Sequence, residues 1–265
     1  DFNNDGRVDR YTWASLGPSQ GTITHSLYNG SGTFAASDFT ASSQTLCAFG
    51  DGAPAEDKVQ EIFETDVNAD GRPDLVVWSG AAVCGASRSN MVYVHLNTTQ
   101  SSSSLPSAPS FNTSAIQRSL HRTSVSDEAV VRVSDIDGDG FPDLLTREKT
   151  TLGTDIEPVY DYRIYKGIDN PAAPGFAPSV LLRDILGVGL LGDHPGNARR
   201  QQFVDLNGDG LLDILMAKRS SGSVCRSVWS YALNRGNGFF TALSNFSGAN
   251  TASLEEISAQ GQCRS

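Results

Sequence analysis

Apolar and aromatic residues along this chain fall into short runs, broken by Gly, Asn, Asp, Pro and Ser, and no long 3.6-residue period is present. Some runs are short and compact, as in Val59 to Phe63, Ala129 to Val133 and Gln202 to Val204. Others follow a polar interval: Leu75 to Trp78, Leu144 to Leu145 and Ile214 to Met216. A third set alternates and is rich in aromatics: Met91 to Leu96, Tyr160 to Tyr165 and Val228 to Leu233. Branched and aromatic residues bounded by turn formers predict β-strands rather than helices. A weaker fourth run, such as Pro178 to Leu182, follows a Gly-rich turn and a phenylalanine, as in Arg235 to Phe240.

The runs repeat as a set, and the polar interval between the first two is the most regular part of the repeat. Asp1-Phe-Asn-Asn-Asp-Gly-Arg-Val-Asp9 recurs from Asp66 to Asp74, Asp135 to Asp143 and Asp205 to Asp213. The repeat divides the chain into units at about 1–58, 59–128, 129–200 and 201–265. About four strands per unit of this length predicts an all-β fold, a β-propeller of four-stranded blades with about four blades in this chain. A Ser- and Pro-rich insertion, Thr98 to Ser110, reads as an exposed loop, as do Thr151 to Glu157 and Gly187 to Asn197.

The interval has the chemistry of a calcium loop. Calcium takes six to eight oxygen ligands. Alternate positions 1, 3 and 5 offer side-chain oxygens: Asp1, Asn3 and Asp5; Asp66, Asn68 and Asp70; Asp135, Asp137 and Asp139; Asp205, Asn207 and Asp209. Position 6 is always Gly, which permits a sharp turn. Position 7 (Arg7, Arg72, Phe141, Leu211) offers its carbonyl, and position 9 (Asp9, Asp74, Asp143, Asp213) closes the shell. An EF-hand requires a glutamate at position 12, where this chain has Thr12, Val77, Thr146 and Met216. The loop therefore belongs to a β-hairpin, with up to four Ca²⁺ expected per chain.

Charge places the acids where cations would cancel them. The net charge is −10, and thirteen of the 30 acidic residues lie in the four loops. No basic stripe suggests nucleic acid, and no apolar run is long enough to span a membrane as a helix. Cys47, Cys84, Cys225 and Cys263 have no CxxC spacing, which favours two disulfides in an oxidising compartment over a zinc site, with four reduced, buried thiols as the plainer alternative. His95 lies in an alternating strand and reads as packed. His121 and His194 lie in polar segments and read as solvated. No nucleophile elbow, HExxH or P-loop is present, so no enzyme is expected.

With Phe49-Gly-Asp-Gly-Ala-Pro54 and the calcium-type loops, the chain resembles the FG-GAP/VCBS repeats of integrin-like β-propellers. The pairing of Asp205 to Gly210 with Leu233 to Phe239 is similar to propellers of bacterial toxin-complex B components and RHS-type secreted proteins. The resemblance implies calcium in the hairpin between the first two strands of each blade. It also implies a secreted or cell-surface module and a ring of six to eight blades, of which this chain would be a segment joined to other domains of a larger polypeptide. A closed four-bladed ring, with Ser253 to Gln260 supplying a strand missing before the first motif, is the alternative. Within a propeller, loops of both cysteine-bearing types emerge on one face, which implies Cys47–Cys84 and Cys225–Cys263, with bonds to other parts of a larger polypeptide as the alternative. The ligand would be a protein or a glycan. A lectin-like module would use Trp13, Trp78 or Trp229, although core packing is the plainer role for these. A calcium-dependent polysaccharide lyase is a further, weaker alternative.

Overall fold

The computed structural model describes residues 6–18, 20–28, 39–50, 59–87, 89–99, 109–150, 159–170, 174–182, 201–219, 227–236, 240–242 and 244–245. The described residues are all-β, arranged as four separate antiparallel sheets. The first sheet has three strands, β1 (Arg10–Gly17), β2 (Gln20–Tyr28) and β3 (Phe39–Leu46), followed by a 3-10 turn at Cys47–Phe49. The second orders β4 (Val59–Thr65), β5 (Asp74–Ser79), β6 (Met91–His95) and β7 (Ile116–Ser119) as neighbours in sequence. The third contains β8 (Glu128–Ser134), β9 (Asp143–Thr150), β10 (Val159–Tyr165) and β11 (Val180–Leu181). The fourth contains β12 (Gln201–Val204), β13 (Asp213–Arg219), β14 (Ser227–Ala232) and β15 (Ser244–Asn245).

Each strand run named from the sequence overlaps an observed strand, including the short fourth strand β11. The first sheet has three strands where each of the others has four. The segments 151–158, 187–197 and 253–260, and the tip of the insertion at 100–108, lie outside the described residues.

Sequential meanders of this kind bury one sheet against the next. β5 and β6 are buried along their full length, so residues on both of their faces find partners. Ile23 and Leu46 of the first sheet, with Phe49 of the turn that follows it, pack with Leu75, Val77 and Tyr93 of the second. Val76, Trp78, Val92 and Val94, on the opposite face of the second sheet, pack with Val130, Leu144 and Tyr165 of the third. Leu145, Tyr162 and Ile164 continue into Ile214 and Ala232 of the fourth. Alternation along a strand sends neighbouring side chains to opposite faces, so one central strand serves two cores. A disulfide, Cys47–Cys84, ties the first sheet to the second as expected. Cys225 and Cys263 lie outside the described residues.

Candidate metal centre

Three of the nine-residue motifs are seen whole, each as the turn joining the first two strands of a sheet: β4 to β5, β8 to β9 and β12 to β13. Of the first motif, Asp1, Asn3 and Asp5 lie outside the described residues, while Arg7 and Asp9 immediately precede β1.

The loops curl around their first aspartate. Asp66 accepts from the backbone N–H of Asp70 (3.0 Å) and of Gly71 (2.7 Å). Asp135 accepts from Gly138 (2.7 Å) and Gly140 (2.9 Å), and Asp205 accepts from Gly208 (2.7 Å) and Gly210 (2.9 Å). Position 3 accepts from the N–H of position 5 in each loop, through Asn68, Asp137 and Asn207. Position 5 accepts in turn from position 7: Asp70 from Arg72, Asp139 from Phe141 and Asp209 from Leu211. This winding requires positive φ at position 6, observed as +80°, +83°, +91° and +88° at Gly6, Gly71, Gly140 and Gly210. Side chains are rarely tolerated there. Position 4 also has positive φ, at Ala69, Gly138 and Gly208, which the motif alone did not signal.

Position 9 anchors the loop to the sheet. Asp74 is fully buried, and accepts from Val67 N (2.8 Å) within the loop and Asn97 N (2.7 Å) after β6. Asp143 accepts from Ile136 N (2.9 Å) and Gly167 N (2.7 Å), and Asp213 from Leu206 N (2.8 Å) and Asn234 N (2.7 Å). Asp9 accepts from Tyr28 N (3.2 Å), so the described part of the first motif keeps the same relation. Asn97 and Asn234 brace the arrangement by donating to the carbonyls of Pro73 (3.1 Å) and Leu212 (3.1 Å), a contact no sequence pattern announced.

Burial acts on these carboxyls. It pushes Asp74 and Asp143 up to about 6, against the lowering effect of their backbone hydrogen bonds. Asp139 is raised by burial and by its neighbours Asp137 and Asp135. Asp205, at the surface, is held below the ordinary value by the N–H of Gly210 and its other backbone donors. A cation among such groups would stabilise their charged forms.

Among the described residues, Asp135, Asp137 and Asp143 bring one carboxylate oxygen each within 4.8 Å of one another. The third loop differs from the second and fourth in another way. Lys166, after β10, places Nζ 2.5 Å from Asp137 Oδ2. In the second loop Arg72 reaches Asp70 Oδ2 at 2.5 Å, across a half-exposed surface. A second grouping, Cys47, Cys84 and His95, also lies within 4.8 Å, but its sulfurs are joined in the disulfide.

Histidine placement departs in part from expectation. His95 is buried, with Nδ1 donating to the Asn112 carbonyl (2.8 Å), and burial lowers it to about 4. His121 is not simply solvated, because its Nδ1 lies 3.0 Å from Glu148 Oε1. Arg122 and Arg163 also bind Glu148. Burial alone would raise Glu148, but the hydrogen bond and charge of Arg163, with His121 and Arg122, hold it below the ordinary value. Thr146 and Tyr165 donate to the adjacent buried Glu128. This polar cluster lies at the ends of β8 and β9 remote from the third loop. Its members come from three segments, so no single stretch of sequence announces it. Of the tryptophans, Trp78 is buried, and Trp13, about 40% exposed, leans on Phe49.

Residues 66–146 match the family model described as FG-GAP-like repeat. The matched segment begins at the first aspartate of the second loop and ends within β9, so it includes both the second and the third loop. No curated protein matches the chain.

Proposed function

We propose that this chain, which carries an FG-GAP-like repeat, is a calcium-binding β-propeller segment. It serves as a structural or recognition module of a secreted or surface protein and not as an enzyme. The observation that carries the reading is the repeated loop architecture. Three loops place Asp or Asn at positions 1, 3 and 5 on one tight turn, and each is closed by a buried aspartate at position 9. The donor set is entirely hard oxygen, which suits Ca²⁺ over softer ions. Calcium would be held by Asp66, Asn68, Asp70 and Asp74 in the second loop. Asp135, Asp137, Asp139 and Asp143 would hold it in the third, and Asp205, Asn207, Asp209 and Asp213 in the fourth. The first loop would add Asp1, Asn3, Asp5 and Asp9. The carbonyls of Arg7, Arg72, Phe141 and Leu211 complete these sets.

The ion supplies positive charge where carboxylates crowd, and so links loop closure to sheet formation. The four successive sheets support four blades, with units at about 1–58, 59–128, 129–200 and 201–265. The sheet-bridging disulfide is in keeping with an extracellular setting. The partner is a protein or glycan surface, or neighbouring domains of the same polypeptide. Equilibrium dialysis with metal analysis tests the reading. Calcium should be retained, and Asp209→Ala should remove one ion per chain. Retention of no calcium by the wild-type protein would refute it.

A further inference from the structure

Every loop with a described position-9 aspartate ties that residue to a backbone N–H at the far end of the second strand after the motif: at the end of β2 in the first sheet, and just after β6, β10 and β14 in the other three. The donors are Tyr28, Asn97, Gly167 and Asn234. This contact aligns the sheets independently of sequence. The residue before the donor is then Leu27, Leu96, Lys166 or Leu233. Position 3 of the corresponding motif is Asn3, Asn68, Asp137 or Asn207. One unit thus departs twice, with Asp for Asn and Lys for Leu, and the two departures face one another. Lys166 Nζ lies 2.5 Å from Asp137 Oδ2, and Asp137 is buried to 4% exposure.

We propose that Lys166 is a built-in counter-cation of the third loop that competes with calcium for Asp137 and so sets the affinity of that site. This rests on the calcium reading above. Without metal, the ammonium neutralises the extra carboxylate and holds it in place. With metal, Ca²⁺ takes over the Asp137 oxygen, and Lys166, whose side chain is 40% exposed, swings toward water at little cost. The third loop therefore carries one more carboxylate than its neighbours without binding calcium correspondingly more tightly. The fourth loop has Leu211 at position 7 and Leu233 after β14, so neither position brings it a cation. It should fill first.

The magnitude follows from Coulomb's law. A unit charge a few ångströms from a divalent ion, in partly exposed and hence water-like surroundings, changes the affinity by about tenfold. The effect should shrink as ionic strength rises.

The experiment is calcium titration calorimetry on the full chain at low salt. It compares wild type, Lys166→Leu, Lys166→Arg, Asp137→Asn and the double variant Asp137→Asn/Lys166→Leu. Lys166→Leu should tighten one site about tenfold, and adding Asp139→Ala should abolish that tightened site. Lys166→Arg should titrate like wild type. Asp137→Asn should weaken the same site, and the double variant should behave like the fourth loop. Melting in chelator establishes that each variant is folded. Calcium binding with no change in Lys166→Leu overturns the role of Lys166 alone. No calcium binding by wild type or any variant overturns the calcium reading and this role with it.

Discussion

Asn90 joins the second sheet to the segment that leads into the third, and its removal gives a prediction that does not depend on metal. The residue is fully buried with φ of +56°. Its Oδ1 accepts from Trp78 Nε1 at 2.8 Å. Its Nδ2 donates toward the carbonyls of Glu128 (2.9 Å), Arg122 (3.1 Å) and Ser124 (3.2 Å). An amide nitrogen has two protons, so at most two of these three are full bonds at once, and Asn90→Ala removes three bonds in all. At about 1 kcal/mol each, the side chain accounts for roughly 3 kcal/mol. Alanine in the left-handed region adds about 1 kcal/mol, where asparagine is tolerated and glycine is free. Asn90→Ala should therefore cost about 4 kcal/mol and Asn90→Gly about 3 kcal/mol. Urea unfolding followed by tryptophan fluorescence, in saturating calcium, measures both. With a slope near 3 kcal/mol/M the alanine variant should shift the midpoint down by roughly 1 M. A loss below about 1 kcal/mol for Asn90→Ala would refute the reasoning. Equal losses for the two variants would remove the backbone part.

Two further outcomes follow from burial. His95, lowered to about 4 by burial, stays neutral in the fold while the unfolded chain protonates near 6.5. Its contribution is present above pH 6.5 and is lost as pH falls toward 4, by about 3 kcal/mol in total. Asp74 and Asp143, raised to about 6, act oppositely over the same range, so the histidine term is isolated by difference. The stability gap between wild type and His95→Gln should narrow by that amount between pH 7 and 4 in urea titrations. A constant gap would contradict it. Gly21→Ala would place a Cβ 2.2 Å from the Phe49 carbonyl oxygen and 2.6 Å from that of Ala14, both backbone atoms. A loss on the order of 3 kcal/mol or more is expected, read as a fall in melting temperature. An unchanged melting temperature would contradict it.

Much of the fold was legible because its signals are local. Aspartates at alternate positions followed by glycine mark a turn that only a left-handed residue can close, and the strand runs on either side have no competing period. The Cys47–Cys84 bridge followed from the resemblance once both cysteines were placed in loops of one face. Apart from that bridge, the contacts between distant side chains were not legible, because they depend on which residues the sheets bring together. Lys166 looks like an ordinary strand-end lysine until Gly167 N is found on Asp143. Only then does its alignment with Leu96 and Leu233 mark it as exceptional. His121 and Glu148 are 27 residues apart in sequence and meet only across the junction of the second and third sheets. Asn90 carries no motif, and its role lies in the carbonyls that the fold delivers to it.

The most direct test of the central claim is thermal unfolding of the chain, first in excess chelator and then with calcium restored at millimolar concentration. If the Asp-rich loops hold calcium, the ion binds the folded state alone and must raise the melting temperature in a concentration-dependent way. Magnesium, which demands tighter octahedral geometry, should raise it less. An identical melting temperature in chelator and in millimolar calcium would contradict the account and leave the loops as turns closed by their own hydrogen bonds.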